Sequence, residues 1–364
     1  MPMKQTSRII STYSSDTFGV CSALFELGGM VVMHDASGCN GTYTTHDEPR
    51  WFDMDSMVYI SALTEMEAIM GDDEKLISDI ATAAEELKPK FIAIVGTPIP
   101  TMVGFDFDAV AALIEDRTGI PSFGFAATGM NTYVHGVSMA LETLAKHFVA
   151  DTGKKSEMPS VNILGLTPLD FSMNGQAESI VRWAEEQGYD VLSTWAMGST
   201  LEDISRAGEA HLNLVVSAGG LKAAKILEKR FGTPYLVGVP MDGRIEGSDL
   251  HGNSITVVGE GVYSLSLAWA LERKLNRGVR VICTTECDGN LLRSKDLMLR
   301  DEVEIEKALQ TAEIIIADPL YRPICPEGVR FLPLPAESFS GRIYRKQIPN
   351  LVADFESFAK EVME

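Results

Sequence analysis

Two cysteines near the N-terminus are the first residues whose type and spacing suggest chemistry. Cys21 comes directly before an apolar segment, SALFELGG, and Cys39 ends the turn HDASGC that follows a short apolar run. We expect Cys21 in the first turn of a helix, where the helix dipole favours the thiolate that binds iron. The alternative is a pair of inert core cysteines, since free Cys is among the most buried residue types.

These two cysteines would supply only half of an iron-sulfur site. A cubane cluster usually has about four cysteine ligands. Because a symmetric homodimer would bring two copies of Cys21 and Cys39 together, the simplest completion is one [4Fe-4S] cluster shared between subunits. A heterodimer, or an additional Asp, His or water ligand, is the alternative.

Several polar side chains near Cys39 could handle protons. His34 precedes it, and His46, Asp47 and Glu48 follow it. Each could donate a proton to a substrate or a hydrogen bond to a metal ligand. His34 could equally be a core residue whose hydrogen bonds are satisfied.

Ser217, Glu260 and Asp318 each follow a predicted strand later in the chain. In parallel α/β sheets the functional groups gather at the carboxyl ends of strands. We therefore treat the three as candidates for the wall of a cavity, with capping or turn formation as the alternative role.

The remaining cysteines are Cys283, Cys287 and Cys325. The first two could pair around a metal, with Cys325 as a third thiol. C-x-x-x-C is a weak signal without a matching second pair, so we favour cysteines of the core or of loops here.

Short Val- and Ile-rich runs alternate with longer amphipathic segments, which predicts parallel sheets flanked by helices. The pattern divides into three Rossmann-like blocks over residues 1–155, 156–250 and 251–364, with a polar linker at 151–160 and a closing helix at 349–364. The twelve predicted strands cover residues 30–35, 58–62, 91–96, 122–126, 160–166, 190–195, 212–218, 235–240, 254–261, 279–285, 313–318 and 329–334.

Composition excludes several functional classes. A formal net charge of −20 argues against a nucleic-acid partner, because phosphate contacts require clustered Lys and Arg. No run approaches the roughly 20 apolar residues of a membrane span. Five scattered cysteines do not form a disulfide framework, and no secretory signal is visible, so we expect a cytoplasmic protein. No complete phosphate-binding fingerprint occurs, and we expect that the chain does not bind ATP itself.

The segments FGVCSALFEL and GGMVVMHDASGCNGTY resemble the N-terminal region of the nitrogenase component 1 family. LNLVVSAGGLKAAKILEKRFGTPYL and ITVVGEGVYSLSLAWAL resemble its later domains. The resemblance implies three Rossmann-like domains, cluster ligation by Cys21 and Cys39, and electrons delivered by an ATP-hydrolysing, iron-protein-like reductase to a substrate held between domains.

Two positions depart from the family pattern. Thr97 stands where the resemblance places a third cluster cysteine, and Ser217 stands where nitrogenase's catalytic subunit has the cysteine that holds its molybdenum-iron cofactor. Because neither hydroxyl is a good soft ligand for iron, we do not expect a true nitrogenase. The alternatives are a scaffold that assembles or carries a metallocluster, and an α/β ligand-binding protein without iron.

Overall fold

The computed structural model describes residues 7–9, 11, 14–36, 38, 40, 41, 43 and 48–364. Within these residues the chain forms three parallel β-sheets, each flanked by helices. The predicted fold class, three Rossmann-like units with parallel sheets, is therefore confirmed. Among the described residues, none of the helices combines the length and the apolar character that a membrane crossing requires.

The N-terminal sheet has four strands in the order β2-β1-β3-β4. Its two central strands are buried along their whole length, which explains why MVVM and IAIV are uninterrupted apolar runs. The elements of this part are α1 (Asp16–Leu24), β1 (Met30–Met33), β2 (Met57–Ile60), α2 (Glu65–Met70), α3 (Asp73–Leu87), β3 (Ile92–Val95), α4 (Pro98–Val103), α5 (Phe107–Thr118), β4 (Ser122–Phe125) and α6 (Tyr133–His147).

The middle sheet has four strands in the order β6-β5-β7-β8. Polar side chains inside it satisfy one another, since Asn162 donates to Asn213 at 2.8 Å and accepts from Ser193 at 2.7 Å. Its elements are β5 (Ser160–Leu164), α7 (Pro168–Phe171), α8 (Gln176–Glu186), β6 (Asp190–Trp195), α9 (Leu201–Ser205), β7 (Leu212–Val215), α10 (Leu221–Phe231) and β8 (Tyr235–Val237).

The C-terminal sheet has five strands in the order β11-β10-β9-β12-β13. The last helix of the chain packs against α11, the helix that follows the central strand. The elements are β9 (Ile255–Gly259), α11 (Gly261–Leu275), β10 (Val279–Cys283), β11 (Leu297–Met298), α12 (Glu302–Leu309), β12 (Ile314–Ala317), β13 (Arg330–Pro333), α13 (Glu337–Ser340) and α14 (Phe355–Met363).

Each predicted strand overlaps an observed one, and each sheet takes its strands from one predicted block. The boundaries of the blocks themselves stay predictions. The start of the chain departs from its predicted block, because residues of the first segment pack on the third. Glu302 of α12 accepts hydrogen bonds from the backbone N–H groups of Arg8, at 2.9 Å, and Ile9, at 3.0 Å.

Helices α1 and α6 cross at very close range. A Cβ atom added to Gly136 would lie 1.8 Å from the carbonyl oxygen of Asp16, and one added to Gly19 would lie 2.1 Å from that of Tyr133. Only glycine fits at these two positions, because any side chain would overlap the opposing backbone. On its other side α6 packs against α10, so this helix is a wall shared by the N-terminal and middle parts.

Candidate functional site

Cys21 lies in the second turn of α1, and the prediction that it sits in the first turn is wrong. The helix begins at Asp16, and all nine of its residues are buried. Cys21 itself is 0% exposed. Because the dipole of a helix acts mainly within its first turn, it gives little support to a thiolate at this position.

The surroundings of Cys21 oppose a free thiolate. Burial, and then the nearby carboxylate of Glu48, raise the pKa of the Cys21 thiol well above its usual range. A thiolate in such a place requires a positive charge that binds it directly, as a metal does. Cys21 therefore does not fit the role of a free nucleophile, and its surroundings suit either a neutral core thiol or a thiolate bound to a metal.

A buried ion network holds the segment after Cys39 against α1. Glu48 accepts hydrogen bonds from Ser22 Oγ at 2.9 Å and from Arg50 Nε at 2.7 Å. Arg50 also pairs with Glu26 at 2.6 Å, and its guanidinium lies 4.8 Å from the centre of the Phe25 ring. Glu48, a candidate proton donor in the sequence, is therefore occupied by hydrogen bonds that attach its segment to α1.

Two buried tyrosines complete the surroundings of Cys21. Tyr43 packs its ring 5.4 Å from that of Phe18, and a charge on Cys21 would raise the pKa of its hydroxyl further. Burial, and then the charge of Glu48, raise the pKa of the Tyr133 hydroxyl, which lies near Ser22.

Three of the predicted site residues lie outside the described residues. These are Cys39, His46 and Asp47. The pairing of Cys21 with Cys39 therefore stays a prediction, and His46 stays a candidate proton donor.

His34 is a buried, neutral residue of the N-terminal part. It is 5% exposed, and its Nδ1 lies 2.9 Å from Ser61 Oγ. Burial lowers the pKa of the His34 ring to about 4, so an imidazolium is not available near neutral pH. The backbone carbonyl of His34 accepts a hydrogen bond from Thr97 Oγ1 at 2.9 Å. The hydroxyl at the position expected for a third cysteine thus braces the turn that leads to Cys39.

Next to this turn the protein exposes an apolar surface formed by α2 and α4, which we call the apolar face. Each helix follows a residue that hydrogen-bonds to this turn. Leu63, before α2, donates its N–H to Asp35 O at 2.8 Å, and Thr97, before α4, bonds to His34 O. Its exposed residues are Met66, Ile69, Met70, Ile99, Met102 and Val103. Contiguous apolar surfaces of this kind mark interaction sites.

A cavity lies between the middle and C-terminal sheets, and it brings together two of the predicted site residues. Ser217, after β7, and Glu260, after β9, both line it. Ser217 Oγ donates to the carbonyl of Gly165 at 2.8 Å. Glu260 accepts from the backbone N–H groups of Ala218 and Tyr263, both at 2.8 Å, so one carboxylate joins the two domains.

The cavity contains carboxyl groups whose pKa values are raised by burial. Burial raises the pKa of Glu260 to about 7, against the opposing effect of its backbone hydrogen bonds. Burial also raises the pKa of Asp170, whose oxygens accept from Thr167 and Ser338 at 2.8 Å. Glu260 can therefore give up and recover a proton near pH 7.

Asp170 and Glu337 were not among the predicted site residues. Asp170 lies in the short helix α7, and Glu337 starts α13 on the opposite wall. Glu337 is 2% exposed and accepts from Arg345 Nε at 2.8 Å. Their nearness depends on how two domains pack, and the pattern of the sequence alone carries no signal for it.

The other predicted positions have structural roles or lie apart. Asp318 accepts from the N–H groups of Leu320 and Ala336, both at 2.9 Å, and so caps a turn beside the cavity. The thiol of Cys325 donates to the carbonyl of Tyr321 at 3.3 Å. Within the described part of the chain, no group of three or more His, Cys, Asp or Glu could hold a metal ion, and the hypothetical three-cysteine site is not formed.

Comparisons with known proteins agree with this architecture. The sequence profile of a family described as nitrogenase component 1 type oxidoreductase matches residues 15–244. The chain is also similar in fold to a solved structure titled nitrogenase Cp1 at pH 6.5, with a TM-score of 0.66 and 15% identity, covering 100% of this chain and 94% of the other.

Curated relatives match about half of the chain. The nitrogenase iron-molybdenum cofactor biosynthesis protein NifE of Clostridium pasteurianum is 31% identical over 48% of this chain and 38% of its own length. The nitrogenase molybdenum-iron protein alpha chain of the same organism is 28% identical over 49% and 33%. One of the subunits of the light-independent protochlorophyllide reductase of Nostoc punctiforme is 26% identical over 47% and 35%. The match therefore spans only a third to two-fifths of these relatives.

Proposed function

This chain belongs to the nitrogenase component 1 type oxidoreductase family, and from that premise we propose that it is an iron-sulfur oxidoreductase subunit. It accepts low-potential electrons from an ATP-dependent, iron-protein-like reductase in the cytoplasm. It passes them to a substrate held in the cavity between its middle and C-terminal domains.

The observation that carries this proposal is the Glu260 cavity. Reduction by two electrons also consumes two protons, so a reductase requires proton donors beside its substrate. Glu260, with a pKa of about 7, is partly protonated near neutral pH, and Asp170 lines the same cavity. Ser217 presents a hydroxyl where a thiolate would hold a metal cofactor, which favours a substrate without such a cofactor.

We assign the electron-accepting site to Cys21 and Cys39. A [4Fe-4S] cluster, when bound, would supply electrons one at a time. The fully buried Cys21 lies in α1, near the buried Glu48–Arg50 pair. A rigid, dry surrounding of this kind limits the access of solvent to a cluster.

The apolar face supports a homodimer with the cluster between subunits. It flanks the turn that leads to Cys39, and Met102 on it is 86% exposed. A second copy that covers this surface would place two N-terminal cysteine segments near a common axis. A paralogous partner subunit is the other possible occupant.

The decisive experiment is anaerobic iron and sulfide analysis of the wild type, Cys21→Ala and Cys39→Ala. We expect about four irons per dimer in the wild type and loss of iron in both variants. Cys325→Ala is the matched control, because Cys325 lies in a loop of the C-terminal domain, and it should keep its iron. Full iron content in both N-terminal variants would refute the assignment.

The similarity to NifE favours a second candidate, a scaffold that assembles or carries a metallocluster. A scaffold transfers its iron to an acceptor apoprotein, whereas a reductase retains iron while it consumes electrons from the reductase partner. Glu260→Gln separates the two, because only a reductase should slow while keeping its cluster. An iron-free, colourless protein would instead indicate a ligand-binding role.

A further inference from the structure

Cys283 and Cys287 lie together at the start of α11, apart from the N-terminal cysteines. Cys283 is the last residue of β10 and is 0% exposed, and Cys287 follows in a loop and is partly exposed. The contact between their thiols is the largest influence on the pKa of each. They are therefore neighbours in space.

Gly261 makes room for both sulfur atoms. A Cβ atom at this first residue of α11 would lie 2.5 Å from Cys287 Sγ and 3.2 Å from Cys283 Sγ. Cys283 Sγ also lies 3.5 Å from the carbonyl oxygen of Thr285, which directs it toward the loop. The missing side chain thus leaves a space that the two thiols occupy.

One of the two sulfurs can be reached from outside. Cys287 lines a cleft of about 290 Å³ whose walls come from α6, α10 and the loop after β10. Lys222 and Lys225 of α10 and His135 of α6 also line this cleft, as do the carboxylates of Glu286 and Asp288. A small molecule has access to Cys287, whereas Cys283 lies behind it.

We propose that Cys283 and Cys287 form a redox-active dithiol that undergoes thiol–disulfide exchange with low-molecular-weight disulfides of the glutathione type. This site is separate from the iron-sulfur site and from the substrate cavity, although the charge of Glu260 acts on both thiols. Cys287 is the attacking residue because it is accessible, and Cys283 is the resolving residue because it is buried next to it.

The exchange is balanced in atoms and electrons. The Cys287 thiolate attacks one sulfur of the disulfide R–S–S–R, and the first R–S⁻ leaves as a mixed disulfide forms. Cys283 then attacks Cys287 Sγ, which breaks the mixed disulfide and releases the second R–S⁻. Each leaving thiolate takes one of the two thiol protons, and the two electrons of the dithiol pass to the small disulfide.

The two thiols affect each other's ionisation. The contact between them is the main cause that lowers the pKa of Cys283 and raises the pKa of Cys287. Attack by the accessible Cys287 therefore requires that the proton left on the pair pass to Cys283.

Oxidation of the pair would affect contacts with the N-terminal and middle domains. Residues between and directly after the two cysteines contact both of these domains. The Glu286 carboxylate accepts a hydrogen bond from Thr132 at the start of α6, and Asp288 pairs with Lys225 of α10. A disulfide between residues 283 and 287 requires the sulfurs to approach to about 2.05 Å, which tightens this loop. The dithiol therefore connects a redox change to contacts among three domains.

The test uses full-length protein, kept free of oxygen, incubated with oxidised glutathione, alkylated and analysed by peptide mass spectrometry. We expect the wild type to lose two alkylatable thiols together and to yield a peptide carrying a Cys283–Cys287 disulfide. Cys283→Ser should retain glutathione on Cys287, and Cys287→Ser should leave Cys283 unmodified until the protein is unfolded. Cys325→Ser, which changes another partly exposed thiol, should behave as the wild type does.

Three outcomes would overturn the proposal. These are stable glutathionylation of Cys287 in the wild type without a disulfide, modification of Cys283 ahead of Cys287, and a metal ion held by both thiols that blocks exchange. Cys21→Ala separates this result from the proposed function. Exchange should proceed unchanged in that variant even though its iron is lost.

Discussion

The region around Cys21 and the region around the start of α11 place thiols in opposite surroundings. Cys21 is fully buried beside the Glu48 carboxylate, and the predicted second ligand, Cys39, is on another segment. Cys283 and Cys287 both lie against Gly261, and Cys287 lines a cleft. By our proposal the first arrangement depends on a bound metal and on a second subunit, while the second is complete within one chain.

Burial alone therefore does not decide the chemistry of a cysteine. The helix α11 region also contains Glu260, whose pKa is raised to about 7 and whose neighbouring charge opposes ionisation of both thiols. Proton handling and thiol chemistry thus lie next to each other in the C-terminal domain. The N-terminal region has a neutral His34 and an engaged Glu48 in their place.

The largest expected effect comes from disrupting the dimer. Iron binding at the N-terminal cysteines should depend on the second subunit, and thiol exchange at Cys287 should not. Met102→Asp should convert the dimer to monomers and remove the iron, because a charge would be buried in the apolar face. Thiol exchange at Cys287 should continue in the same variant. Sedimentation analysis combined with iron analysis measures the first two effects.

Met158→Asp is the control for Met102→Asp, since Met158 is 65% exposed on the linker between the first two domains. It should remain dimeric and retain iron. A Met102→Asp protein that stays dimeric would show that another surface joins the subunits.

The next effect concerns the buried Glu48–Arg50 ion pair near Cys21. Glu48→Ala leaves Arg50 buried with only part of its countercharge, and we expect a loss of about 3 kcal/mol in the free energy of unfolding. Urea denaturation measures this loss. Glu74→Ala removes an exposed partner of Arg117 and should leave the midpoint nearly unchanged. Equal midpoints for the two variants would contradict the assigned role of Glu48.

His34 should make the N-terminal region sensitive to acid. Its folded pKa is lowered to about 4 from 6.5, so its contribution to stability is present above pH 6.5 and is lost as the pH falls through 4. The loss amounts to about 3 kcal/mol. His34→Asn should flatten this part of the dependence of unfolding free energy on pH, while His147→Asn, at an exposed site, should not. Parallel curves for the wild type and His34→Asn would exclude this explanation.

Glu260 should give a smaller dependence of opposite sign. Its folded pKa is raised to about 7 from 4.5, so its contribution to stability is fully present below pH 4.5 and is lost as the pH rises through 7. Relative to Glu260→Gln, the wild type should lose about 2 kcal/mol of stability between pH 5 and pH 8. Thermal denaturation across this range tests it, with Glu157→Gln on the linker as control. A constant difference between the wild type and Glu260→Gln would mean that Glu260 does not titrate in this window.

The sequence predicted the sheets because central parallel strands are buried on both faces and read as short apolar runs, such as IAIV in β3. The strand-end rule also located Ser217 and Glu260 at the cavity. It could not locate the start of α1, because a helix that is buried on every side has no amphipathic period. Asp170 and Glu337 were missed because their proximity results from the packing of domains.

The glycine crossing of α1 and α6 couples the positions of these two helices. The backbones touch at Gly19 and Gly136, so α1 cannot slide without carrying α6 with it. The first turn of α6 is in turn held by Glu286 from the loop of the dithiol. A shift of that loop would therefore move the N-terminus of α6. Because α6 contacts α1 at the glycine crossing, it would also move the helix that contains Cys21.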